Sequence, residues 1–382
     1  MSRVIKKVAL LGANGTMGYG SGALFTRADC EVVFLARTRE KAQEGLDAAK
    51  AQVRSVSVGN KATVGSYDQD LEAAVKDADL IFEAVAEDMT IKDQIFSLVD
   101  KYRRPDSIVA TVSSGLSISK LAENRSDSFK KHFLGLHYFN PPNVIVGTEL
   151  IPSEHTDPAL VDFLMHWCAR YQNRVMVKTA NTPGFAGNRV GFKVLNEAAQ
   201  LAEKYGPVYI DYLIGPYTGR AMPPLATIDL VGFDVHKAIV DNVVKNVAEG
   251  ADEAIDTYHL PAYMRKLIDQ GTLGRKSGGG FFKRVNKVPH FLDIATGEYK
   301  PSSTVELPRL EFMDTMKRLH RVGRYQEAMQ VFAAADGEEA RLAQKVIGGY
   351  IAYSFNRVGE ITEDITGIDM IMGMGFNWAP PS

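Results

Sequence analysis

Val8-Ala9-Leu10-Leu11-Gly12-Ala13-Asn14-Gly15-Thr16-Met17-Gly18 is the stretch on which the reading of this chain turns. A short apolar run passes at once into three glycines spaced GxxGxxG, and a helical pattern continues through Ala23 to Phe25. Strand, glycine turn and helix in that order are the context a dinucleotide fingerprint requires. The glycines allow a tight turn and let the backbone approach a pyrophosphate at the helix N-terminus. Gly12, Asn14, Gly15, Thr16, Met17 and Gly18 are therefore the first candidate cofactor-binding residues.

The next strand, Glu31 to Ala36, arrives where a βαβ unit places it. An acidic residue normally ends this strand and accepts the ribose hydroxyls of NAD. Here Ala36 is followed by Arg37-Thr38-Arg39. Loss of the carboxylate beside arginines is how a site accommodates a 2′-phosphate, so NAD is the expected cofactor with NADP left open at Arg37. The plainer role for Arg37 is stacking on an adenine or facing solvent. Further apolar runs at Ala78–Glu83, Ser107–Val112, Phe133–Tyr138, Val146–Ile151 and Arg174–Lys178 read as strands, separated by helical patterns. The pattern predicts an α/β chain that opens with a Rossmann-type, parallel, doubly wound sheet. Glu87, Ser114 and His137 lie at or beyond three of the strand ends, with Lys92 on the helix after Glu87. Each alone is an ordinary cap or turn residue; together they face the crevice where open sheets bind ligands.

His137 sits in Gly135-Leu136-His137-Tyr138-Phe139-Asn140-Pro141-Pro142, a buried strand emptying into a rigid turn, with Glu149 on the following strand. A histidine there can take or give a proton near neutral pH. A carboxylate on the neighbouring strand can hold its imidazole in one tautomer and stabilise the imidazolium. A hydrogen-bonded core histidine is the bland alternative.

The chain has 382 residues, enough for two domains and a partial third. Apolar residues make up 45% and charged residues 24%, and the net charge of -2 gives no reason to expect nucleic acid or an acidic membrane as partner. Cys30 and Cys168 form no CxxC, so neither a disulfide framework nor a thiolate metal site is expected, and no metal is assigned. No apolar run reaches about 18 residues, the length of a membrane span. The N-terminus runs directly into a strand and leaves no room for a signal peptide. A reduced, cytoplasmic location is the expectation.

Three segments are expected: a cofactor domain over 1–180, a helical domain over 181–290, and a helical extension over 291–382. Asn181-Thr182-Pro183-Gly184-Phe185 marks the first boundary, and a long helix follows from Phe185 to about Tyr205 with Asn188 and Arg189 in its first turns. Asn188 there is also a natural cap or surface residue. Helical patterns cover Val208–Tyr217, Ile228–Glu249 and Glu253–Gln270, and the second domain is expected to be all helical. Gly274 to Phe282 reads as an exposed closing loop, Asn286 to Ser303 as loop, and Leu310–Ala335 and Ala340–Glu360 as helical. There is an internal echo: Asn196-Glu197, Asp211 and Pro223-Pro224 parallel Asn356-Arg357, Asp369 and Pro380-Pro381, which reads as a partial second helical repeat. Lys50, Arg54 and Lys61 form a basic face that is either solvated or a phosphate contact.

Taken together, these motifs resemble the L-3-hydroxyacyl-CoA dehydrogenase family. The resemblance rests on Thr16-Met17-Gly18, Glu83 to Glu87 with Lys92, Ser113 to Leu116, Gly135 to Asn140 with Glu149, Asn181 to Phe185 with Asn188-Arg189, Pro223 with Asp229, Gly232 and Asp234, and Gly274 to Phe282. It departs from the family in the longer glycine loop, in Ala36 and in Val112. The resemblance implies reversible oxidation of (S)-3-hydroxyacyl-CoA to 3-oxoacyl-CoA, as in fatty-acid β-oxidation. His137 would be base and acid, Glu149 its orienting partner, and Ser114 and Asn188 hydrogen-bond donors to the reacting oxygen. Asn140 would support the histidine region, and Glu87 and Lys92 would contact the nicotinamide ribose. The helical domain would close over the crevice. Short members pair through that domain; in longer ones a second helical copy fills the surface from within the chain, so a homodimer and a monomer with an internal pseudo-dimer are both open. A dehydrogenase of a small free hydroxy acid, carnitine- or gulonate-like, is the alternative within the class. A non-catalytic nucleotide-binding relative is the alternative outside it. The second copy breaks off at Pro381-Ser382, which leaves a fragment of a longer enzyme open.

Overall fold

The computed structural model describes residues 3–53 and 56–382, and the side chains of residues 56 and 57 are not among those described. Arg54, one of the three basic candidates, lies outside the described residues. Lys50 and Lys61 are each paired with an aspartate, Asp47 and Asp29. The chain divides into two compact units: residues 1–186 with 359–376, and residues 187–358 with 377–382.

The first unit is α/β. Among its described residues, eight strands form one sheet: β1 (Lys7–Leu11), β2 (Glu31–Ala36), β3 (Ala62–Ser66), β4 (Leu80–Glu83), β5 (Ile108–Thr111), β6 (Phe133–Tyr138), β7 (Gly147–Pro152) and β8 (Val175–Lys178), in the order β3-β2-β1-β4-β5-β6-β7-β8. Alternation along β1 shows how the sheet is buried. Val8 and Leu10 join one apolar layer with Phe34, Phe82 and Trp167, and Ala9 and Leu11 join the other with Leu35, Ile81, Phe96 and Phe133. Strands covered on both faces read as continuous apolar runs, which is why most of them stood out in the sequence.

Two features depart from the expected sheet. β3, an edge strand of Ala-Thr-Val-Gly-Ser with only its last two residues buried, carries too little apolar pattern to stand out. The sheet is also not parallel throughout. β7 runs antiparallel to β6, and β8 runs parallel to β7. Residues 139–146 between β6 and β7 are too few for a crossover, which needs a dozen or more.

The second unit is helical, built around the helix Gly187–Tyr205 with Pro224–Val231, Phe233–Asn246, Glu311–Arg321, Tyr325–Ala334 and Glu338–Asn356. The helix expected over Ile228–Glu249 is broken at Gly232, whose φ is 100°. The one expected over Leu310–Ala335 is broken near Gly323, at φ 74°. The stretch read as loop after Asn286 holds most of a small antiparallel sheet of β9 (Phe282–Val285), β10 (Val288–Leu292) and β11 (Tyr299–Pro301). Only Phe291 and Leu292 in it are buried, so period-two patterning is nearly absent. Gly274 to Phe282, read as an exposed closing loop, is exposed at 275–278 but buried at Gly274, Gly280 and Phe281. The Asp229 carboxylate accepts the amides of Phe281 at 2.7 Å and Phe282 at 2.8 Å, and a Cβ on Gly280 would lie 2.0 Å from Asp229 Oδ1. The expected extension over 291–382 is shared between the two units, since 359–376 returns to the sheet.

Candidate active site

The carboxyl ends of β1, β4, β5 and β6, adjacent and parallel, bring Gly12, Glu87, Ser114 and His137 to one edge of the sheet. At the β1 end, Gly12 has φ 82°, and a Cβ on it would lie 2.2 Å from the Ala84 carbonyl oxygen. A Cβ on Gly18 would lie 2.1 Å from the Gly12 carbonyl oxygen, so the loop and the helix Thr16–Arg27 close on each other only because both positions are glycine. Gly15 caps that helix with no side-chain hydrogen bond, and no acidic residue stands in its first turn. Its leading amides and positive dipole end are thus offered to an anion. Asn14 and Thr16 are exposed and Met17 is half-buried around this cradle. The residues present fit a dinucleotide pyrophosphate.

Tyr67 was not legible as a site residue. The Gly12 amide donates to its hydroxyl at 2.8 Å, and burial pushes the phenol up to about 12 despite that amide. At the β2 end, Ala36 is buried, while Arg37 is exposed and has no ion pair among the described residues. Arg39 is committed to Asp70, Nη2 to Oδ2 at 2.9 Å, and Asp70 also accepts the Ser66 amide at 2.8 Å. Of the two arginines, Arg37 remains to meet a ribose substituent.

At the β4 end lies a buried network that sequence reasoning saw only in outline. Lys92 Nζ donates to both Glu83 oxygens, at 2.6 and 2.8 Å, and stands 3.4 Å from Glu87 Oε2. Thr111 Oγ1 donates to Glu83 Oε2 at 2.5 Å. Lys92 and Glu83 have no exposed side-chain surface, so in this arrangement Lys92 supports Glu87 and presents nothing to a ribose. Glu87 Oε1 accepts the Ser113 hydroxyl at 2.6 Å and the amides of Gly115 at 2.9 Å and Ser114 at 3.1 Å. Burial pushes the Glu87 carboxyl up. The Lys92 ammonium, the Ser113 hydroxyl and the two amides outweigh it and hold the group below the usual carboxylate range. The glutamate thereby fixes the half-buried Ser114 loop at the end of β5.

His137 and Glu149 are direct cross-strand partners in the antiparallel β6–β7 register. His137 Nδ1 lies 2.6 Å from Glu149 Oε2, with side-chain exposures of 6% and 0%. Glu149 Oε1 accepts the Ala186 amide at 2.9 Å. With Nδ1–H donating to the carboxylate, the lone pair of the imidazole sits on Nε2. Phe139 and Phe185 flank the ring, with centroids 5.0 and 5.7 Å from it. Asn140 is exposed at the end of the turn. Asn188 is buried in the first turn of the helix Gly187–Tyr205, in the helical unit. Among the described residues there is no cluster of three or more His, Cys, Asp or Glu able to hold a metal, and no helix long and apolar enough to cross a membrane.

A glycine cradle at one strand end and a buried histidine–carboxylate pair at another define an α/β dinucleotide-binding protein. Residues 7–182 match the sequence model for the 3-hydroxyacyl-CoA dehydrogenase NAD-binding domain, and residues 184–284 match that for the C-terminal domain of the same enzymes. The chain belongs to the 3-hydroxyacyl-CoA dehydrogenase family. It is 32% identical to a probable 3-hydroxyacyl-CoA dehydrogenase of Bacillus subtilis, over 99% of this chain and 50% of that one. It is 29% identical to the 5-formyl-3-hydroxy-2-methylpyridine 4-carboxylate 5-dehydrogenase of Mesorhizobium japonicum, over 73% of this chain and 91% of that one. In fold it is similar to 3-hydroxybutyryl-CoA dehydrogenase from Escherichia coli K12, with TM-score 0.72 and 19% identity over 99% of this chain and 90% of that one. The chain spans about half the length of the first curated relatives it matches.

Proposed function

We propose that the chain interconverts (S)-3-hydroxyacyl-CoA and 3-oxoacyl-CoA with NAD, His137 acting as base and acid. The observation that carries this reading is the buried 2.6 Å contact between His137 and Glu149 at the sheet edge that also bears the glycine cradle. NAD, when bound, supplies the hydride acceptor. The chain's own residues do the rest. His137 Nε2 takes the proton of the C3 hydroxyl as that carbon is oxidised, and returns it in the reverse direction. Glu149 holds the reactive tautomer and stabilises the imidazolium; the Ala186 amide keeps the carboxylate from turning away. Ser114, on the loop fixed by Glu87, donates to the reacting oxygen, and Asn140 supports the turn after the histidine. Gly12 to Gly18 bind the pyrophosphate, and Glu87 faces the ribose next to the nicotinamide.

Reduction of acetoacetyl-CoA, followed at the nicotinamide absorbance with NADH and with NADPH, tests the proposal with His137→Ala alongside. The expected result is turnover that prefers NADH and falls by about 10²–10⁴ in the variant, the span of general acid–base catalysis. An undiminished variant overturns the mechanism. The Mesorhizobium relative's name is that of a dehydrogenase of a free aromatic acid, so turnover of a free hydroxy acid and none of the CoA ester would move the substrate class there.

A further inference from the structure

The sheet unit is completed by a segment from far along the chain, residues 359–376. This segment begins beside β8, the edge strand, where the Ala180 amide donates to the Ile361 carbonyl at 2.9 Å and Lys178 pairs with Glu363 at 2.5 Å. Its helix, Ile365–Met374, packs against β7 and β8. The approach is close enough to exclude side chains. A Cβ on Gly147, the first residue of β7, would lie 2.6 Å from the Gly375 nitrogen, and one on Gly375 would lie 2.8 Å from the Phe139 ring. Phe139, Val177 and Ile371 are buried together there, with Ile145 and Phe376 packed on them.

This contact leads to His137 in two steps. The Phe376 ring meets Phe139 edge-on, centroids 5.6 Å apart and planes at 68°. Phe139 in turn lies 5.0 Å from the imidazole at 59°, and Phe185 packs on it edge-on at 5.7 Å and 61°. The hydrogen bond to Glu149 fixes one nitrogen and the tautomer, but small turns about Cα–Cβ and Cβ–Cγ that keep this bond still tilt Nε2. The two phenyl rings remove this freedom, and Phe139 is itself braced by the returning segment at Gly375 and Phe376. We infer that Phe376 is a positioning residue for His137, acting through Phe139, so that residues 359–376 set the direction in which Nε2 points. The inference rests on the reading of His137 as acid and base. The competing role for the segment is to cover the sheet edge and nothing more.

The test uses the full chain with Phe376→Ala, the conservative Phe376→Tyr, and Glu363→Gln as a control on the same segment. Phe376→Leu takes the place of the alanine variant if that one does not fold. The readouts are kcat and KM for acetoacetyl-CoA reduction, the ¹⁵N shifts of the His137 imidazole, and the urea midpoint. Misplacement of a reacting group by about 1 Å costs up to about 100-fold in rate, so Phe376→Ala is expected to lower kcat about 10-fold while KM changes little. The His137 signals move in that variant and stay in place in Phe376→Tyr and Glu363→Gln. Unchanged kcat and unchanged His137 signals in Phe376→Ala, with a lowered urea midpoint, overturn the inference and leave edge cover as the segment's role. If the parent chain does not turn over the CoA ester, the proposed reaction fails and the imidazole signals alone decide. Movement in Phe376→Ala upholds the positioning, and its absence overturns it.

Discussion

Glu149 is the residue on which the proposed chemistry is most sensitive to a small change. Both its oxygens are used, Oε2 by His137 Nδ1 and Oε1 by the Ala186 amide, and its side chain is wholly buried. Replacing it with glutamine preserves shape but puts an N–H₂ where one acceptor stood. If that amide group faces His137, it donates to Nδ1, and the proton moves to Nε2, the atom that must be bare to accept one. A serine-protease aspartate changed to asparagine loses about 10⁴ in kcat by such a tautomer inversion. Glu149→Gln is therefore expected to lower kcat by about 10²–10⁴ with KM nearly unchanged, since the substrate need not touch Glu149. Steady-state kinetics on acetoacetyl-CoA checks this. A variant with raised KM and intact kcat would assign Glu149 to binding rather than to the imidazole. At this scale the sequence showed the pair itself, because a histidine at a strand end and a carboxylate on the next strand are visible as spacing. It did not show that Lys92 is consumed by Glu83, because burial of an ammonium depends on strands brought together from Leu80–Glu83 and Ile108–Thr111.

The helix Pro224–Val231 is an element held by two buried carboxylates, one serving each end. Asp211 accepts the amides of Leu225 at 2.8 Å and Ala226 at 3.0 Å in its first turn, while Asp229 near its C-terminus accepts those of Phe281 and Phe282. Burial pushes Asp211 up to about 7 and Asp229 up to about 6, and the amides offset only part of this. A carboxyl whose native value lies above its unfolded value holds its proton more tightly when folded. Its stabilising share is complete below about 3.8 and is lost as pH rises through 6 and 7. Glu87 has the opposite sign: its share is present above its ordinary value of 4.5 and is lost as pH falls. The urea midpoint is therefore expected to be higher near pH 5.5 than at pH 8, the unfolding free energy falling by up to about 1.4 kcal/mol per pH unit for each aspartate. Asp211→Asn with Asp229→Asn should flatten that slope; a parent midpoint identical at the two pH values would refute the account. The sequence carried the helix but not its strap. Gly274 to Phe282 reads as loop because its order comes from Asp229, some fifty residues away, and not from any local period. β10 was missed for a related reason: its partners mix Phe282 and Val285 with Lys283, Arg284 and Lys300, so no apolar alternation marks it.

At the scale of the whole chain, the path crosses between the two units more than once, and the second copy of the echo lies across those crossings. The repeat's long helix, Glu338–Asn356, belongs to the helical unit, its short helix, Ile365–Met374, to the sheet unit, and its last residues to the helical unit again. Inside the helical unit the helices Gly187–Tyr205 and Glu338–Asn356 pack together. Tyr353 of the second copy donates to Asp252 at 2.7 Å and accepts from Arg189 Nε at 2.7 Å, while Arg189 Nη2 reaches the same carboxylate at 2.7 Å, and all three side chains are buried. Near the proline pairs, Arg220 bridges Trp378 antiparallel, with the Ala221 amide donating to Asn377 and the Ala379 amide to Gly219. Aligning Pro223-Pro224 with Pro380-Pro381 makes Arg220 the counterpart of Asn377 and Ala221 the counterpart of Trp378. Arg220 thus pairs with the counterpart of Ala221, and Ala221 with the counterpart of Arg220. That is the self-complementary pattern of a twofold interface, in which residue i meets j and j meets i. On this reading one chain supplies both sides of the face through which two copies would otherwise associate. Light scattering of the 382-residue chain is expected to return the mass of a single chain at all concentrations. A mass of two chains would mean that another face carries the association and that the internal repeat does not stand in for a partner.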